Sequence, residues 1–135
     1  MFSWFKKKPK PNGPDFSQVN SREKAEELFR RGELEKLFLI PLEFGGVDNP
    51  LNRLNVPLGV AEIKSRIDNN IIGPLVSEGK VSQYKAEPEY QGKSFIPIAI
   101  KITAWDPGEI SSTINIWGEA LNRQQDLPSA TGTER

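Results

Sequence analysis

Glu87 and Glu89 are the residues of this chain whose type and spacing come closest to a catalytic pair. Set two apart in an extended stretch, they project from one face of a strand about 7 Å from each other. An inverting glycosidase holds its acid and base within that range, so a carboxylate-dependent hydrolase is the enzyme such a pair could serve. Acids two apart on a strand face are commonplace, however, and nothing in the neighbouring sequence builds a pocket around these. The chain has no His and no Cys. It therefore lacks the commonest general base, the commonest transition-metal ligand and any thiolate nucleophile. Gly45-Gly46 and Gly73-Pro74 are turn chemistry, not a phosphate-cradling loop. Asp48, Asn49 and Asn55, or Asp68, Asn69 and Asn70, match no calcium-loop spacing. The expectation is no enzymatic activity, no catalytic residue, no metal and no cofactor.

Surface recognition is the chemistry that is left. Phe95, Trp105 and Trp117 fall on the same strand faces as Glu87 and Glu89, and aromatic anchors rimmed by charge are the composition of a protein-binding patch. The opposite reading is that this face is covered and its aromatics are core. Eighteen Lys and Arg balance eighteen Asp and Glu over the 135 residues. Lys6, Lys7, Lys8 and Lys10 are in the first ten residues, whereas Phe16 to Asn122 carries twelve bases against fifteen acids. The folded part is mildly acidic, which argues against a nucleic-acid partner held through phosphates.

The elements that must position these residues follow from periodicity. Ile96, Ile98, Ile100 and Ile102 alternate through Ser94–Trp105, the signature of a half-buried strand. If Gln91–Lys93 is the loop of a hairpin, Tyr84 faces Ile100, Ala86 faces Ile98 and Pro88 faces Ile96, so apolar residues meet on one face. A second hairpin with the odd-length loop Pro107–Glu109 sets Ile114 against Ile102 and Ile116 against Ile100. Upstream, Asn20 or Ser21 caps a short helix over Arg22–Arg31 that Gly32 can stop. Leu37–Phe44 reads as a strand interrupted at Pro41, and Arg53–Val56 as a shorter one. Gly59–Leu75 is the main helix, with Val60, Ile63, Ile67, Ile71 and Leu75 inward and Glu62, Lys64, Arg66 and Asp68 outward. Gly73-Pro74 should kink or end it.

The predicted fold is α+β, an antiparallel β-sheet packed by two helices: a C-terminal three-stranded meander plus one or two earlier strands. Residues 1–19 read as a flexible basic leader, 20–121 as one domain and 122–135 as a disordered polar tail. No apolar run reaches the length of a membrane span, and MFSWFKKKPK has its charges after its apolar residues, the reverse of a secretory signal. A cytoplasmic protein without stable membrane insertion is expected, its oligomeric state open. Phe2, Trp4 and Phe5 beside Lys6–Lys8 could instead dock on anionic lipid, which would make the chain a peripheral membrane or adaptor protein.

FLIPLEFGG at Phe38–Gly46, VPLGVAEIKSRIDNNIIGPLVSEGK at Val56–Lys80 and YKAEPEYQGKSFIPIAIKI at Tyr84–Ile102 resemble segments of small bacterial proteins encoded beside Rhs-type and other polymorphic toxins. The start MFSWFKKK is similar to the leaders of such proteins. The resemblance implies an immunity protein, a cytoplasmic antidote that binds a cognate toxin domain and blocks its active site or substrate access. The matching segments are structural and carry no signature of mechanism. The acidic balance of the core would suit a basic toxin.

Overall fold

The alternating isoleucines do form the centre of the molecule. In the computed structural model, which describes residues 14–123 and 129–131, Ile96, Ile98, Ile100 and Ile102 are all buried. The meander consists of β3 (Gln83–Glu89), β4 (Ala99–Trp105) and β5 (Glu109–Asn115), antiparallel throughout. Its registers differ from those expected by an even number of residues. Ala86 faces Ile102 and Pro88 faces Ile100, a slip of four. Ile114 faces Ile100 and Ser112 faces Ile102, a slip of two across the three-residue loop Asp106–Gly108. Because side chains alternate with period two, even slips leave every residue on its expected face.

The larger slip has a local cause. Ser94 Oγ accepts the Ile96 N–H at 3.1 Å and donates to Phe16 O at 2.8 Å, while the Phe95 N–H goes to Val19 O at 2.7 Å. With Pro97 lacking a donor as well, residues 94–97 cannot join a ladder, and the expected three-residue turn becomes a long connection. The same bonds move the start of the fold. Val19 is buried and Phe16 packs edge-on to Trp117, so these two residues, expected in the leader, pack against the core. At the other end β6 (Ser129–Thr131) pairs antiparallel with β5, inside the stretch expected to be a structureless tail.

The earlier strands make a sheet of their own. β1 (Leu34–Phe38) and β2 (Arg53–Pro57) pair antiparallel and join no third strand among the described residues. The expected strand over Leu37–Phe44 thus starts earlier and stops at Phe38, and Leu42–Phe44 is a turn of 3-10 helix. Asn52 organises that turn: its Oδ1 accepts the Ile40 N–H at 2.8 Å, and its Nδ2 donates to Ile40 O and Val47 O. A buried side chain thus supplies the backbone partners that a sheet would have given. Gly46 sits so near Ile40 O that a Cβ there would come within 2.0 Å.

α1 (Arg22–Arg30) is capped as expected, Ser21 Oγ accepting the Lys24 N–H. It is fastened to the ribbon by Glu26, which takes Lys36 Nζ at 2.6 Å and Asn55 Nδ2 at 3.0 Å. Lys36 first and Asn55 second hold the Glu26 carboxyl below its ordinary value of 4.5. A carboxyl whose folded value is lowered contributes stability above the unfolded value and loses it as pH falls. Protection of the α1 amides from hydrogen exchange should therefore drop on acidification below about pH 4.5, and Glu26→Gln should flatten that dependence.

The main helix is α2 (Val60–Ile67), a wide π turn over Asp68–Ile72, and α3 (Gly73–Ser77). Its break has the expected source: Pro74 cannot donate, and the Gly73 N–H reaches back to Asp68 O to close the wide turn. The inward face is rotated from expectation. Ile63 is exposed, whereas Lys64 and Asp68, expected on the polar side, are buried between Val60 and Ile72. No helix among the described residues is long and apolar enough to cross a membrane.

Candidate functional site

The residues expected to share one exposed face are divided among four surroundings. Trp117 is 2% exposed, its Nε1 donating to Ile96 O at 3.0 Å and its ring meeting Phe16. It follows the end of β5, where the chain turns inward, so Trp117 is a core residue and not a surface anchor. Trp105 is half-buried at the far end of β4, with Lys85 Nζ 5.8 Å from its ring. Glu87 and Glu89 are exposed on β3, beside a groove of about 210 Å³ that Lys101, Asn115 and Arg123 also line. Phe95, 46% exposed, belongs to a different groove.

The carboxylate pair is not arranged as an acid and a base. Arg123 grips Glu89 through both guanidinium nitrogens, at 2.9 and 2.7 Å, and this contact holds the Glu89 carboxyl low. A general acid needs the reverse, a carboxyl pushed up by burial. Glu87 lies 3.8 Å from Lys85 in the open. Of the groups weighed as cation ligands, Asp48 faces Arg53, Asn49 caps the turn at Pro50–Asn52, and Asn55 is tied to Glu26.

The most perturbed chemistry was hidden from the sequence. Lys64 Nζ contacts Asp68 Oδ2 at 2.7 Å and the Tyr84 hydroxyl at 2.8 Å, and that hydroxyl donates to Asp68 Oδ1 at 2.8 Å. Burial drives the Lys64 ammonium below its ordinary value against the pull of Asp68. Burial, followed by the Asp68 charge, pushes the Tyr84 phenol far upward. Shifted groups in a cluster mark functional sites and structural ion-pair networks alike. Here both charged side chains are almost wholly buried, with 3% and 5% of their surface exposed, and each bonds the other and the Tyr84 hydroxyl. A reactive lysine needs a free Nζ; here Nζ is engaged by Asp68 and Tyr84 at the base of a small recess of about 120 Å³ that Glu43, Ser65 and Asn69 also line, and the cluster reads as a polar piece of the core.

The groove that holds Phe95 combines exposed apolar side chains with two arginines. About 410 Å³ in volume, it runs between the first turn of α1, β2 and the connection from β3 to β4. Tyr90 and Phe95 form one wall, Leu51 at 90% exposure stands at its edge, and Arg22 and Arg53 bring the charge. Partial burial also raises the Tyr90 phenol above its ordinary value. Three exposed apolar side chains around one concavity are what a partner would cover. Of these only Phe95 is among the residues expected at a binding patch, because the groove joins three segments of the chain, residues 22–25, 50–55 and 90–95, that no local pattern links. Comparison of the chain with protein-family models, with curated proteins and with solved structures finds no match to any of them.

Proposed function

We propose that this chain is an immunity protein: it binds a cognate bacterial toxin domain in the cytoplasm as a stoichiometric complex and blocks the toxin's activity. The observation that carries the reading is the groove of Tyr90, Phe95 and Leu51, a concave apolar surface rimmed by arginine and mounted on a packed α+β scaffold. An inhibitor of this kind needs a rigid frame and a complementary surface, and needs no reactive group of its own. The resemblance of the central segments to antidotes of polymorphic toxins supports the same reading.

Co-expression with the toxin encoded by the adjacent upstream gene tests it. The wild-type chain should restore growth and co-purify with the toxin domain; failure to do either removes the proposal. Phe95→Asp places a charge on the groove wall at a side chain that is 46% exposed. It should weaken the complex by about 2 kcal/mol or more, roughly thirtyfold in Kd, with an unchanged melting temperature. Trp105→Ala, far from the groove, should leave affinity within a few-fold.

A further inference from the structure

The phase of the β1–β2 ladder identifies what the groove offers besides apolar surface. Leu39 N–H donates to Asn52 O one step beyond the last ladder pair, Phe38 with Arg53, which fixes the phase of the antiparallel ladder. Stepping by two, Leu37 with Leu54 and Glu35 with Val56 are the hydrogen-bonded pairs, and Arg53, Asn55 and Pro57 turn their backbone polar groups to the other side. No strand lies there among the described residues. The Arg53 N–H is used by the preceding turn, bonding Pro50 O. Arg53 C=O and both backbone groups of Asn55 face the open edge, and Pro57 ends it without a donor.

This edge belongs to the groove: Arg53, Leu54 and Asn55 line it consecutively, together with Ser94 and Phe95. The Asn55 side chain adds a second unfilled valence. Its Nδ2 is held by Glu26, while its Oδ1 is buried with no partner among the described residues. A buried acceptor without a donor is costly and is satisfied when a ligand supplies an N–H. The lining has two guanidinium groups and no carboxylate. Arg22 has no ion pair among the described residues, and Arg53 meets only the exposed Asp48, at 3.3 Å.

We propose that the groove takes up an extended, carboxylate-bearing segment of the protein partner, which adds as a third strand to the open edge of β2. The backbone of that segment bonds Asn55 and Arg53, an apolar side chain seats against Tyr90 and Phe95, and flanking carboxylates meet Arg22 and Arg53. The inference rests on the partner-binding reading above and specifies which part of the partner is held. Although the core as a whole is mildly acidic, the sign is set locally by the groove.

Three synthetic hexapeptides test it by amide NMR on the full chain: one alternating aspartate and valine, one alternating lysine and valine, and the acidic one N-methylated at alternate residues. The acidic peptide should shift the Arg53, Asn55 and Phe95 amides saturably at millimolar concentration. The basic and the N-methylated peptides should bind about tenfold more weakly or not at all. Arg22→Glu with Arg53→Glu should exchange the preference between acidic and basic peptides. Equal binding of the two charge types, an unaffected N-methylated peptide, no shift at these amides, or their shift with protein concentration alone, which would mark a second copy of the chain as the occupant, overturns the proposal. In co-expression the same double variant should lose protection. If it protects as well as wild type, strand addition fails while the antidote reading stands. If wild type itself does not protect, the antidote reading fails and the peptides still decide what the groove binds.

Discussion

Trp117→Ala should cost about 3–5 kcal/mol and lower the melting temperature by roughly 15 °C or more, as measured by circular dichroism. The side chain fills the space between Ile96 and Phe16, and removing it opens a cavity that three separate segments line. The N-terminal segment is held to the sheet partly through this ring, so its loss frees Phe16, whose carbonyl also accepts the Ser94 hydroxyl. Trp117→Phe keeps most of the volume but leaves Ile96 O without its indole donor. That variant should lose about 1–2 kcal/mol and remain folded. The pair of variants separates a structural role from a binding one: affinity for a partner should follow the fraction folded in Trp117→Ala and be unchanged in Trp117→Phe. A folded Trp117→Ala protein with wild-type stability and weakened binding would put the tryptophan back on a recognition surface.

The misplacement of Trp117 shows which part of this fold a sequence can disclose. Face is a matter of parity, and parity survives: Ile100, Ile102 and Ile114 lie inside despite registers displaced by four and two. Register depends on where turns close, and that depends on bonds such as Ser94 to Phe16, which join residues 78 apart. No local pattern announces them. Once Ser94–Pro97 leaves the ladder, Phe95 can swing to the α1 side of the molecule while Glu87 and Glu89 stay on the outer sheet face. The expected patch therefore divides: Glu87, Glu89 and Phe95 are exposed, Trp105 is half-buried and Trp117 is buried. Leu51 and Tyr90 went unnoticed because each is a lone apolar residue in a polar stretch, and only the fold brings them together with Phe95.

Lys64 and Asp68 fail for a related reason. Spaced four apart on a helix, a lysine and an aspartate look like an exposed ion pair, and Arg66 with Glu62 on the same helix is one. What receives the first pair inside is Tyr84, sixteen residues beyond Asp68, whose hydroxyl bonds both charges. Asp68 also opens the π turn, so the position that anchors the pair is the one where the helix widens before Pro74.

Asp68→Ala should destabilise the fold by about 3–5 kcal/mol, because it strands the Lys64 ammonium in the core with a single neutral acceptor. Lys64→Met combined with Asp68→Leu and Tyr84→Phe removes all the polar atoms together. That triple variant should be no less stable than wild type and could gain about 1–4 kcal/mol. Urea unfolding of the single, double and triple variants would show strong non-additivity, the mark of a coupled network. The alkaline limb carries the signs of both shifts. Lys64 is lowered in the fold, so below 10.5 the unfolded chain binds more protons and stability rises with pH toward that value. Tyr84 is raised, so its contribution is intact below the ordinary phenol value of 10.0 and declines above it as the unfolded phenol ionises. Lys64→Met should abolish the rise and Tyr84→Phe the decline. A Lys64→Met single variant as stable as wild type, with additive energies throughout, would mean that the three groups do not act as one network and that solvent reaches them.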